Sequence, residues 1–128
     1  MILYEILELF NNSQELIEVL GISEEDPKIY PFGTEHIQEC IIYKFIPITS
    51  DGIKEQNRLE LTIITVDDLR GLSILETVKS ILLTRGDTQK TSNILEVSLN
   101  GGGTLENLET GTIHRSAFFI VKNRIRKD

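Results

Sequence analysis

Few residues in this chain are of a type and spacing that could do chemistry. Two histidines, one cysteine and one adjacent pair of aspartates are the candidates for base, nucleophile or metal ligand. His36 follows Glu35 and His114 precedes Arg115, and neither falls in an H-E-x-x-H, C-x-x-C or D-x-D pattern that would gather ligands onto one ion. Both are expected to be structural or solvated. Cys40 has no second cysteine to pair with and opens an apolar run where a small thiol packs well, so a structural role is expected. Gly101, Gly102, Gly103 and Thr104 would cradle a phosphate only if they ended in Gly-Lys-Ser/Thr and opened a helix, and here they run into Leu105 and Glu106. Asp67 and Asp68 stand where a strand becomes a helix. Their expected duty is to cap it, accepting the free N–H groups of the first turn and opposing the dipole. Ser73 and Glu76 would form a capping box instead if the helix began after Gly71. Catalysis would need a further base held in a cleft, and none can be placed. With 6% aromatics and no tryptophan, there is also no stacking platform for bases or sugars. The sequence predicts no enzyme, no metal and no cofactor, and puts the function on surfaces.

The elements that would carry those surfaces can be followed along the chain. Ile2, Leu3, Ile6, Leu7 and Phe10 share one side of a helix, which Asn11, Asn12 and Ser13 interrupt. Ser13 can cap a second short helix that Gly21 ends. Residues 22–33 read as an extended crossing, with a short strand around 28–30. Residues 39–48 form a strand bounded by Thr-Ser-Asp-Gly, and its partner is 58–66, with Leu59, Leu61 and Ile63 on one pleat and Thr62, Ile64 and Val66 on the other. That is a long hairpin with residues 49–57 as its tip, at an edge or bulged near Pro47. The period then changes to that of a helix with Leu69, Leu72, Leu75, Val78 and Leu82 as its stripe. Gly86 and Asp87 end it and 88–93 form a polar connection. Residues 94–99 make a short strand, with Ile94, Glu96 and Ser98 facing one way and Leu95, Val97 and Leu99 the other. The glycines at 101–103 make a loop, and Thr112 to about Arg124 is a core strand. The expected fold is a single α+β domain over 1–128: a mostly antiparallel sheet of about four strands including a long hairpin, with N-terminal helix or helices and one central helix on one face.

A chain of 128 residues can bury a core without staples. The net charge of −7 argues against holding nucleic acid. The start carries acids where a signal peptide carries lysines, no run is long enough to span a membrane, and a soluble, unexported protein is expected. Charge is unevenly placed: Glu5, Glu8, Glu15, Glu18, Glu24, Glu25 and Asp26 face only Lys28 in the first 30 residues, whereas Lys122, Arg124, Arg126 and Lys127 crowd the end. Solvated ends are the ordinary explanation. The asymmetry would also suit copies that meet acidic face to basic face around a ring.

The layout resembles a known family. The first helix followed by NNSQELIEVLGI, the crossing KIYPFGTEHIQECIIYKF, the unit LELTIITVDDLRGLSILETVKSILL and the closing pair ILEVSLNGGGTLENLETGTIHRSAFFIVKNR together are similar to the tail-completion (tail-terminator) proteins of long-tailed bacteriophages and phage-like contractile particles. The resemblance spans nearly the whole chain, and the family brings no catalytic motif. It implies a homo-hexameric ring that caps the head-proximal end of a tail tube, ends its polymerisation and joins the head or connector. It implies as partners the tube protein, the sheath in a contractile particle and the head–tail connector, with DNA at most passing through an acidic lumen and no membrane. The place implied is the neck of the virion tail, assembled in the bacterial host cytoplasm. On position and exposure alone, the candidate contacts are the hairpin tip (Thr49, Ser50, Asp51, Gly52, Ile53, Lys54, Glu55) and the C-terminal basic segment (Arg115, Lys122, Arg124, Arg126, Lys127). The alternative is a small acidic adaptor or immunity-type protein that holds a basic partner with its N-terminal helices.

Overall fold

The computed structural model describes residues 2–33, 39–83, 93–107 and 111–125. Helix α1 (Ile2–Asn11) buries Ile2, Ile6 and Phe10, a stripe of the helical period. At the break, the Ser13 hydroxyl accepts from the Leu16 N–H at 3.3 Å and so caps α2 (Gln14–Leu20). Gly21, at φ 78, closes that helix by donating to the Ile17 carbonyl. Both junctions are those expected from Ser13 and Gly21.

Among the described residues five strands follow, where about four were expected. They are β1 (Ile29–Pro31), β2 (Cys40–Ser50), β3 (Lys54–Thr65), β4 (Ile94–Asn107) and β5 (Thr112–Arg124), with α3 (Asp68–Leu82) between β3 and β4. Their order across the sheet is β1-β2-β3-β5-β4. β1 runs parallel to β2 and every other pairing is antiparallel, so the sheet is mixed and the architecture is α+β.

The register separates two faces. Leu59 opposes Phe119 and Leu61 opposes Ala117, and these join Ile6, Phe10, Leu16, Leu20, Ile74, Val78 and Leu82 in one core. This is the helix face. On the other, Ile42, Lys44, Ile46, Arg58, Phe118 and Ile120 all keep some exposure, and only Cys40, Ile64 and Thr112 at one end are buried. Burial pushes the Cys40 thiol up to about 11, so it is neutral and unreactive at physiological pH.

Several local expectations are corrected. The buried stripe of α3 is Gly71, Ile74, Thr77, Val78 and Leu82, whereas Leu69 is 75% exposed and Leu72 36%. Gly71 sets this rotation, because a Cβ there would come 2.9 Å from the Thr65 hydroxyl, so the helix start is pressed onto the end of β3. The helix begins at Asp68, so Ser73 is inside it and opens no capping box; its carbonyl accepts from the Thr77 hydroxyl. β3 ends at Thr65, which leaves Val66 exposed rather than on a pleat. The hairpin is longer than expected, since pairing from Cys40↔Ile64 to Ser50↔Glu55 leaves only residues 51–53 as its turn. Thr49, Ser50, Lys54 and Glu55 are therefore strand, with the bulge near Pro47 between Pro47 and Thr49. Gly101–Gly103 are strand as well: β4 passes through them, bulging between Leu99 and Gly102. A second irregularity between Ile94 and Glu96 brings Ile94 and Val97 to the same buried side, which breaks the alternation expected for 94–99. The expected helix end at Gly86 and Asp87, and all of the 88–93 connection but Asn93, lie outside the described residues.

Candidate assembly interface

The two segments picked out as contacts lie far apart in sequence and form one end of the sheet. Lys54 opposes Arg124, Glu55 opposes Asn123 and Gln56 opposes Lys122. Beyond the strands, Ile125 donates its N–H to the Ile53 carbonyl at 2.9 Å. The turn is built by Asp51, whose Oδ1 accepts from Lys54 N at 2.7 Å and Ile53 N at 2.8 Å, while Gly52 takes φ 88. This fixes the Ile53 side chain at the tip with 66% of its surface in water.

Below the tip, a small amide cluster pins the strands together. Asn57 Nδ2 donates to Asn123 Oδ1 at 2.9 Å, and Asn123 Nδ2 donates to Glu55 Oε1 at 2.9 Å. Both asparagines are almost wholly buried, and such satisfied polar pairs fix register. Beside them lies an open hollow of about 460 Å³ between Thr49, Gln56, Leu95, Glu96 and Lys122. Lys122 Nζ is 3.8 Å from Glu96 Oε2 with both side chains about half exposed, so this pair adds little stability.

The backbone N–H bonds of Lys54 and Ile53 hold the Asp51 carboxyl below the usual carboxylate range. Its hold on the turn is thus complete above the unfolded carboxyl's pKa and is lost as pH falls through the lowered folded value. In an amide NMR titration the Ile53 and Lys54 signals are expected to move together with a midpoint below that of a free aspartate. Asp51→Asn removes that acid step, and a midpoint at or above the free value would contradict the geometry.

Not every candidate belongs to this end. Arg115 is corrected out of the basic segment: it opposes Ile63 and Thr104, pairs with Asp68, and is only 15% exposed. It ties the start of α3 to the sheet. Asp67 is the N-cap of α3, accepting from Leu69 N at 3.0 Å, whereas Asp68 spends its carboxylate on Arg115 rather than on the helix N–H groups. Arg126 and Lys127 lie outside the described residues, as does His36. His114 is hydrogen-bonded to the Thr112 hydroxyl at 3.1 Å. Among the described residues no three His, Cys, Asp or Glu side chains gather as a metal site, and no helix is long and apolar enough to cross a membrane.

One cluster was missed in the sequence. Tyr30 donates to Asp26 Oδ1 at 2.8 Å and Lys28 Nζ lies 3.1 Å from Asp26 Oδ2, with Lys28 at φ 62. It pins the crossing into β1, and only the acid–x–base spacing of 26 and 28 hinted at it. Leu69, expected on the buried stripe of the helix, is exposed, as are Phe32, Ile48 and Leu105.

No family model matches the sequence, and no curated protein is similar to it. Among solved structures the fold is similar to a chain of the "Virion of native gene transfer agent (GTA) particle", with a TM-score of 0.68 over 94% of this chain and 92% of that one, at 8% identity. At that identity the likeness is one of fold, and it includes both helices and sheet.

Proposed function

We propose that this protein is a structural subunit of a phage-like particle that completes the tail: a homo-hexameric ring on the head-proximal end of the tail tube, ending polymerisation and offering the joining surface to the head or connector. What supports this most is the fold shared over nearly the full length with a chain of a gene transfer agent virion. The exposed sheet end, with Ile53 at its tip and Lys54, Lys122 and Arg124 around it, is the surface we assign to the tube or connector. No catalysis is involved, and the work is done by docking. In the parent particle, deletion is expected to give tails of uncontrolled length, or tails of normal length that never join heads. Particles that assemble normally without it would refute the proposal, as would a chain that forms no ring in solution or in the particle.

A further inference from the structure

The two outer margins of the sheet are unlike each other among the described residues, and their differences are complementary. Among the described residues, β4 ends the sheet on one side with β5 as its only strand neighbour. Its edge has neither proline nor lysine, the usual devices that keep an edge from pairing. Instead it has Gly101–Gly103, and the missing side chains leave a hollow on each face of the sheet. The one on the open face, about 250 Å³, is bounded by Gly103, Leu105, His114, Ser116 and Phe118. The one on the helix face, about 220 Å³, is bounded by Leu75, Lys79, Leu99, Gly102 and Ala117. A strand laid against this edge would send its side chains alternately into the two hollows.

On the opposite margin, β1 covers β2 only at Ile41–Tyr43. Among the described residues, 44–50 of β2 pair with β3 alone. This stretch offers apolar side chains on both faces, with Lys44 and Ile46 on the open face and Phe45 and Pro47 on the helix face. Its one charge is Lys44, whose Nζ rests 4.6 Å from the Phe32 ring centroid. β4 carries Glu96 and Glu106 and no cation. Pro47 and the bulge after it are poorly suited to a flat neighbour, but a glycine notch gives them room.

We infer that the β2 margin of one copy docks antiparallel into the glycine notch of β4 on the next. The directions agree: β2, β3 and β5 alternate and β4 alternates again, so β2 and β4 run oppositely and a neighbour in the same orientation presents β2 antiparallel to β4. The faces agree as well, since setting Ile46 opposite Gly103 puts Pro47 opposite Gly102, each on its own face, with Lys44 opposite Leu105 on the open face. Because the two margins differ, the contact is heterologous and repeats by rotation until it closes. This rests on the ring proposed above and assigns the surfaces that make it.

Gly103 allows a clean test, because a Cβ there meets nothing within 4 Å and its backbone is ordinary strand. Gly103→Val fills the open-face hollow without disturbing the fold. Its melting temperature is expected to match or exceed the wild type, while light scattering shows loss of the ring and a monomer mass. In a second experiment, a Lys44→Cys chain and a Leu105→Cys chain, which the same register sets opposite each other outside the notch, are mixed, assembled and oxidised. Disulfide dimers are expected from the mixture and from neither chain alone, as Cys40 is buried. Rings that survive Gly103→Val, or assembled rings whose mixture does not cross-link, would overturn this contact while leaving the ring itself standing. A wild type that forms no ring anywhere would overturn both.

Discussion

Phe119→Ala is expected to cost about 3–5 kcal/mol, the range for removing a buried aromatic side chain. Phe119 is fully buried on the helix face of β5, the strand between β3 and β4, where its register partners are Leu59 and Leu99. Its ring belongs to the core that joins the helices to the sheet, so the cavity left behind opens at the centre rather than at a rim that can collapse. A domain of this kind has about 5–15 kcal/mol in total, and the variant should melt roughly 12–20 °C lower at about 4 °C per kcal/mol. Urea denaturation should show a lower midpoint with an unchanged slope. The neighbour is the control. Phe118 points to the open face, where Arg58 lies 4.6 Å from its ring centroid, and an exposed cation–π contact is worth about 0.5–1 kcal/mol. Phe118→Ala should therefore lose far less, and equal losses would mean that the two faces have been assigned the wrong way round.

Gly102→Ala carries the second large effect and contrasts with the residue beside it. A Cβ at Gly102 would press on the Ser116 carbonyl oxygen far inside van der Waals contact, with Ser116 C at 3.2 Å and Ala117 Cα at 3.3 Å. All three are backbone atoms of β5, so relief requires the β4–β5 ladder to part. The expected loss is at the upper end of the ~1–3 kcal/mol typical of overpacking, read as a lower melting temperature and faster amide exchange at 115–117. Gly103→Ala should be neutral or slightly stabilising, since a glycine in a strand costs about 0.5–1 kcal/mol relative to alanine. Matching effects at the two positions would contradict the register of β4.

The contrast between these two glycines also shows where sequence reasoning stops. A run of glycines has no side-chain periodicity, so 101–103 read as a loop, although pairing with β5 makes them strand. Ser13 and Gly21 were legible because their signals are local: a hydroxyl that reaches an N–H three residues on, and a residue that accepts positive φ. The rotation of α3 was not. Leucines at 69, 72 and 75 outvoted Gly71 and Thr77, yet a close approach to Thr65 decides the buried side, and that is a tertiary contact. β1, three residues long and parallel, was expected as a short strand near its place, and its pairing followed from no local pattern. In the sequence, position and exposure alone point to the hairpin tip and the basic segment. That they form one surface follows from the β3–β5 pairing, which sets Lys54 opposite Arg124, and the same pairing shows why Arg115, nine positions before Arg124, stands apart.

The strand order has a kinetic consequence for the cell. β5 is inserted between β3 and β4, so while the ribosome is still making it, β3 lacks its second neighbour and β4, among the described strands, has no partner. Such non-local topologies close in milliseconds to seconds, and here closure waits on the stretch from Thr112 to Arg124. A chain that stops before Thr112 therefore leaves β3 and β4 without the strand that joins them.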